Sequence, residues 1–367
     1  MDRIYSNIKI WAMATDPVYI GTGGYTIGRV DNTIVRDPIT RIPKIPGTSL
    51  AGTWRYYVAL YLQSLFSKDE YRIKRSARKN VDINDLFISG AKDNNELESS
   101  KIIEWVYYDG NRYAAIKCAG QDESPQDICS EDDVSETGHC GKCIVCKGFG
   151  YSKNKESWQG MLFFSDLNIL FFPVYTRMGT KWITSAKILR EAGFSLDGVC
   201  DLKGDSEDSH TIILHEKACA SEEGWLNLGW LNLPYKAAMK KISFTPVNNL
   251  FNINEKDVCI VPDNLISQII NSNLEVRTSV AIDPITGAAK EGALFTSEAI
   301  PRATVFYGSI RINDKNMLNG LDAKTNDLPS VEQFKSALKS TACFYETLGI
   351  GGMTTRGFGR LKVSLNV

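Results

Sequence analysis

The chain is poor in histidine. Only His139, His210 and His215 occur in 367 residues, and none lies near the glycine-rich or proline-rich motifs. Histidine acid–base chemistry therefore has little support. A surplus of positive charge is also missing, since 42 Lys and Arg stand against 43 Asp and Glu for a net charge of −1. Any surface for an anionic polymer must be a local patch. No apolar run approaches the roughly 20 residues of a membrane span. Residues 1–20 lack the continuous apolar stretch of a secretory signal, so a cytoplasmic chain without a membrane partner is expected. A disulfide scaffold is not expected either. Of nine cysteines, five fall between 118 and 146, which suits a metal site in a reducing compartment.

Cys140-x2-Cys143-x2-Cys146 places three thiols within reach of one ion. Cys118 or Cys129 completes a tetrahedral zinc site, with His139 a weaker candidate. The rival is an iron–sulfur cluster, but the bacterial ferredoxin run needs cysteine and proline where this chain has Gly150 and Tyr151. Four thiolates leave no open coordination position, so the expected role is structural. Asp122, Glu123, Asp127, Glu131, Asp132 and Asp133 surround the cluster and suggest a surface insertion stapled by the metal.

Several segments read clearly as elements. Ile8 to Ala14 has a partly alternating, strand-like pattern. Leu50, Trp54, Val58, Tyr61, Leu62 and Leu65 recur at helical spacing, with Thr48 and Ser49 as candidate N-caps. Gly160 to Pro173 resembles a buried strand or hairpin, and Ser185 to Ala192 a short helix. Val276–Asp283 and Ala293–Thr296 flank a turn-rich tip and predict a long β-hairpin. Ser330-x-x-Gln333 is a capping box that opens a further helix. Gly224–Leu233 is a tandem five-residue echo whose Trp225 and Trp230 read as core residues. Lys68, Arg72, Lys74, Arg75, Arg78 and Lys79 form a basic run that reads as a solvated face.

Five glycines and two arginines crowd into Gly349–Arg360. Glycine permits positive φ, and a loop of this kind can aim several amides into one anion-binding nest. Arg356 and Arg360 add fork-shaped phosphate donors. The plainer alternative is a tight helix-to-strand turn. The start of the Thr48–Ser49 helix is a second anion candidate, through its unpaired amides.

Four of these segments together resemble the RAMP superfamily, and most closely the backbone subunits of type III CRISPR–Cas effector complexes. They are Val30–Pro38, Ile45–Arg55, the hairpin from Arg277 to Glu298, and the C-terminal glycine loop. The cysteine cluster running into Lys147-Gly-Phe-Gly150 resembles the zinc-containing variety, especially the III-D and III-E branches. The resemblance implies an α+β architecture. Its ferredoxin-like (RRM-like) core would fill a single elaborated domain over 1–367, with a polar zinc-binding insertion at 67–158 and a thumb hairpin at 274–298. It implies guide RNA, single-stranded target RNA, other RAMP subunits and a large effector subunit as partners. Thr48, Ser49, Lys44, Arg55, Gly351, Gly352, Thr355, Arg356 and Arg360 would hold guide RNA, and the thumb would wedge between guide bases. The family's catalytic aspartate falls on Asp31, acting on target RNA with Mg or Mn, while zinc stays structural. One departure stands out. The family commonly has lysine after the Ser-Leu pair, and this chain has Ala51. A phosphate contact is missing there or is supplied by Lys44 or Arg55. The alternatives to a cutting subunit are a non-catalytic scaffold of the same complex and a stand-alone RNA-processing enzyme. The scarcity of histidine disfavours the stand-alone enzyme.

Overall fold

The computed structural model describes residues 4–23, 30–73, 76–78, 81–88, 92–93, 101–102, 105, 116–120, 138–153, 156–196, 210–218, 221–239, 243–318 and 328–366. Cys129 and the acidic residues 122–133 lie outside the described residues, as does much of 67–158.

Among the described residues, eleven strands join one large sheet. Its first half is built from β1 (Tyr5–Ala14), β2 (Lys44–Ile45), β3 (Leu162–Phe164) and β4 (Leu167–Thr176). The second half holds β5 (Gly179–Ser185), β6 (Ile212–His215), β7 (Glu223–Leu228), β8 (Leu231–Met239) and β9 (Val258–Val261). A separate two-stranded ribbon pairs β10 (Glu275–Ile282) with β11 (Ala289–Ala299). The chain then returns to the sheet in β12 (Val305–Asn313) and β13 (Leu361–Asn366). The order across the sheet is β7-β8-β6-β9-β5-β4-β12-β1-β13, with β2 added to β4 and β3 to β12. The four strands β13-β1-β12-β4 are antiparallel throughout.

Two helices cover the β13-β1-β12-β4 half. In α1 (Gly47–Ser64) the buried positions Leu50, Trp54, Tyr57, Val58 and Leu62 recur at helical spacing. In α4 (Val331–Thr341) Ser330 and Gln333 close the predicted capping box, and Phe334, Ala337, Leu338 and Thr341 face inward. Side chains of α1, α4 and the short turn that follows α4 pin the helices together. Trp54 Nε1 donates to Thr341 Oγ1 at 3.0 Å, and Tyr345 Oη donates to the Leu50 carbonyl at 3.0 Å. Trp54 and Tyr345 meet edge to face with centroids 5.1 Å apart. Tyr57 Oη donates to the Gly349 carbonyl, which fixes the start of the glycine loop. No helix among the described residues is long and apolar enough to cross a membrane.

Two tryptophans depart from expectation. Trp225 and Trp230 are exposed, at 56% and 92%, and neither belongs to the core. Side chains alternate across a strand, so Leu226 and Leu228 take the inward face of β7 and leave Trp225 outside. Gly229 and Trp230 form the two-residue turn between Leu228 and Leu231, where nothing covers an indole. The apolar echo had the right composition but the wrong parity.

Candidate nucleic-acid interface and metal centre

Asp31 lies in an extended segment laid along the root of the β10–β11 ribbon. Asn32 N donates to the Thr296 carbonyl at 3.0 Å, and Glu298 N donates to the Asn32 carbonyl at 3.0 Å. Two donors converge on Asp31 Oδ2, the Thr296 amide at 2.7 Å and the Thr296 hydroxyl at 3.0 Å. The amide first, and the hydroxyl next, hold the Asp31 carboxyl below its ordinary value. Asp31 is exposed, and its Oδ1 has no partner among the described residues. Five residues on, Arg36 ties the same two segments. Its Nη2 sits 2.6 Å from Glu298 Oε2, and its Nε donates to Asn271 Oδ1 at 2.9 Å. Arg36 lies in the Val30–Pro38 segment and Glu298 at the end of the ribbon, yet their pairing spans 262 residues and had no local signal.

The ribbon itself projects with apolar side chains in water. Ile285 at the tip is 93% exposed, and Ile282, Val280 and Leu294 are also exposed. The tip is closed by Asp283 Oδ1, which accepts from the amides of Ile285 at 2.7 Å and Thr286 at 3.2 Å. At the other end, Arg277 docks the ribbon on the glycine loop. Its Nη1 donates to the Gly357 carbonyl at 3.1 Å, and its guanidinium lies over the Phe358 ring at 4.7 Å.

The glycine loop serves close packing as well as display. Gly351 adopts φ +82°, and a Cβ there would collide with the Tyr19 carbonyl. The Gly352 amide donates to that same carbonyl at 3.0 Å, and the Gly359 amide to Pro17 O at 2.8 Å. The expected open row of amides at Gly351 and Gly352 is thus partly closed by the segment 17–20. Thr355 and Arg356 remain exposed, and the Arg356 side chain has no partner among the described residues. Arg360 is held by Asp16, with Nη1 to Oδ2 at 3.3 Å, and keeps 48% of its side chain in solvent.

The second anion candidate is also modified by its surroundings. Helix α1 begins at Gly47 after Pro46, without a side-chain cap. Thr48 and Ser49 therefore sit inside the first turn and are not N-caps; the Pro46–Gly47 start moves the boundary ahead of them. Asp166 supplies the negative charge that this terminus favours, accepting from the Gly47 amide at 2.7 Å. Lys44 Nζ bridges Asp166 Oδ2 at 2.7 Å and Asp37 Oδ2 at 3.3 Å. The Asp166 contact, the larger effect, pushes the Lys44 ammonium pKa up. Arg55 turns toward the cysteine loop. Its Nε donates to the Cys118 carbonyl at 2.8 Å, and Nη2 lies 3.1 Å from His139 Nδ1.

That loop forms a potential metal centre. The Sγ atoms of Cys118, Cys140, Cys143 and Cys146 all lie within 4.8 Å of one another. Cys140 and Cys143 turn into α2 (Ile144–Phe149), whose first residues bring Cys146 back to the cluster. The Cys143 amide donates to Cys140 Sγ at 3.3 Å, and the Cys146 amide to Cys143 Sγ at 3.5 Å. Burial pushes the Cys143 thiol well up, and the neighbouring Cys118 thiol does the same for Cys146. Cys118, Cys143 and Cys146 are buried and Cys140 half-buried, and thiols crowded in this way favour a cation that can draw off their protons. The donor set and spacing fit a tetrahedral four-sulfur ion, for which Zn–S bonds of about 2.3 Å put sulfurs about 3.8 Å apart. His139 is spoken for by Arg55 and is not in the cluster.

A model of the RAMP superfamily matches residues 12–362. The CRISPR system Cmr endoribonuclease Cmr4 of Pyrococcus furiosus is 25% identical over 232 residues, 60% of this chain and 75% of that protein. The CRISPR system Cms endoribonuclease Csm3 of Enterococcus italicus is 34% identical over 106 residues, 24% of this chain and 50% of that protein. The chain thus spans about half the length of that second relative. A chain in the cryo-EM structure of the type III-B Cmr-beta complex bound to cognate target RNA has a TM-score of 0.53 at 14% identity, over 99% of this chain and 98% of that one. At that identity the likeness concerns the fold alone.

Proposed function

The chain belongs to the RAMP superfamily, and we propose that it is a guide-RNA-binding backbone subunit of a type III CRISPR ribonucleoprotein that cleaves the complementary target RNA. The observation that carries this reading is Asp31. It is an exposed carboxylate, anchored through one oxygen at the root of a projecting apolar ribbon, with the other oxygen unpartnered among the described residues. The endoribonucleases Cmr4 and Csm3 among its relatives give the reaction class.

In this reading β1, α1, β4, β12, α4 and β13 make a ferredoxin-like core, with the strand order 4-1-3-2 of that fold. The ribbon 275–299 is a thumb whose Ile285 tip intercalates a guide strand. Arg356, Arg360 and Thr355, with the first turn of α1 at Thr48 and Ser49, follow the guide backbone. Phosphate contacts of this kind position a strand without reading its sequence. Arg55 and Lys44 act mainly as internal braces, because both already have partners. The four cysteines hold a structural zinc ion.

Cleavage draws on Asp31 through its unpartnered oxygen. Magnesium is commonly held by one or two carboxylates together with substrate phosphates, so a single exposed aspartate fits that mode. Mg or Mn bound there would supply charge neutralisation at the scissile phosphate and favour ionisation of the neighbouring 2′-hydroxyl. Asp31 orients that end of the site, and the thumb splays the strand toward in-line geometry.

The scaffold reading draws on the same contact, since the Asp31–Thr296 pair also staples the ribbon root. Asp31→Asn separates the two. It can still accept from Thr296 but carries no charge. Guide and target RNA should remain bound while cleavage in the assembled complex is abolished, as with Asp31→Ala. Undiminished cutting at the position served by this subunit would sink the catalytic assignment in favour of the scaffold.

A further inference from the structure

At the end of the sheet beyond β6, the β7–β8 hairpin leaves aromatic rings in water. Trp225 is 56% exposed, Trp230 92%, and Tyr175 in β4 78%. Tyr and Trp are enriched at binding surfaces, where one end of the ring is apolar and the other meets water. Trp225 also walls a groove of about 760 Å³ that is lined by Asn232, Pro234, Lys236, His210 and Glu223.

Three observations choose the ligand. The first is composition. The groove combines an indole, the Asn232 amide and one cation, Lys236, and unpaired bases are held by such a set: stacked on a ring and hydrogen-bonded on an edge. The core of a protein–protein interface is depleted of charge instead. Glu223 stands opposite Lys236 in register, so the groove is close to neutral and stacking dominates. The second is the edge of β7, which is partly occupied. Arg177 donates its guanidinium to the Trp225 carbonyl and its amide to Asn227 Oδ1 at 2.9 Å. One main-chain acceptor of that edge, the Trp225 carbonyl, is thus already taken where a partner strand would pair. The third is location. Gly229, at φ +63°, packs so closely on Asn273 that any Cβ would collide with it. Asn273 caps α3 (Ile266–Ser272) two residues before β10 begins. The aromatic turn therefore adjoins the root of the ribbon past which RNA runs in the proposed function.

We propose that the β7–β8 hairpin is a stacking site for unpaired bases of single-stranded RNA, with Trp225 and Trp230 as its platforms. The inference rests on the reading that this chain binds RNA. Stacking on a ring releases no counterions, so its contribution is independent of salt.

The test uses the full chain and a mixed-sequence single-stranded RNA carrying 4-thiouridine. Photocrosslinks should map to Trp225 and Trp230. W225A and W230A should each bind about 5- to 150-fold more weakly at every salt concentration, and the double variant W225A/W230A more weakly still, with an unchanged slope of log K against log salt. W225F/W230F should recover most of that loss. W230A alone guards against misfolding, since its side chain lies in solvent. Unchanged affinity, with crosslinks confined to 275–299 and 349–360, would overturn the stacking site and leave the proposed function standing. Loss of self-association or of subunit binding at unchanged RNA affinity would reassign the patch to a protein interface. A wild-type chain that binds no RNA would remove both readings.

Discussion

Thr296 grips Asp31 through both of its donors, the amide at 2.7 Å and the hydroxyl at 3.0 Å, on the same Oδ2. Every other proposed role of Asp31 follows from that grip. It fixes the carboxylate through one oxygen and favours its ionised form.

The sign of the resulting pH dependence is fixed. Hydrogen bonds to the charged form lower the folded-state value, so the stabilisation is present above the ordinary aspartate pKa and is lost as pH falls through the depressed one. Thr296→Val removes the hydroxyl and keeps the amide, the larger of the two causes. The acid limb of the cleavage rate should therefore move to higher pH, only part of the way to an unperturbed aspartate. A pH–rate profile of the assembled complex measures this. A limb that stays in place or moves to lower pH would detach Asp31 from the titration.

The two loop arginines should differ. Arg360 is shared with Asp16, whereas the Arg356 side chain has no partner among the described residues. Arg356→Ala should weaken guide RNA binding more than Arg360→Ala, equally for unrelated guide sequences. For a single strand, each lost phosphate contact should make the slope of log K against log salt shallower by about 0.7. Fluorescence titrations at several salt concentrations decide it. An unchanged slope in the double variant would return the loop to a plain turn.

Metal content tests the cysteine cluster residue by residue. The purified chain should carry about one zinc, as a four-thiolate structural site requires. Cys118→Ser and Cys143→Ser should each release it and expose the loop to protease, whereas Cys129→Ser should retain it, since Cys118, Cys140, Cys143 and Cys146 already make a complete tetrahedral set. Elemental analysis with limited proteolysis reads both effects. Iron with a visible charge-transfer band would replace the zinc assignment.

Local spacing alone determined several features of this protein. Three cysteines at intervals of three lie close enough along the chain to face one ion, so Cys140, Cys143 and Cys146 needed no tertiary information. The Ser330–Gln333 capping box and the ribbon on either side of Pro284 are likewise encoded by neighbours. Tertiary structure decided whatever depended on residues far apart in the chain. It brought Cys118 to the metal loop and Thr296 to Asp31, and it joined Arg36 to Glu298. It gave Arg55 and Lys44 internal partners, where the family resemblance had suggested RNA. It also set the face of Trp225, because composition records that a residue is apolar and only strand pairing fixes which side of the sheet it occupies.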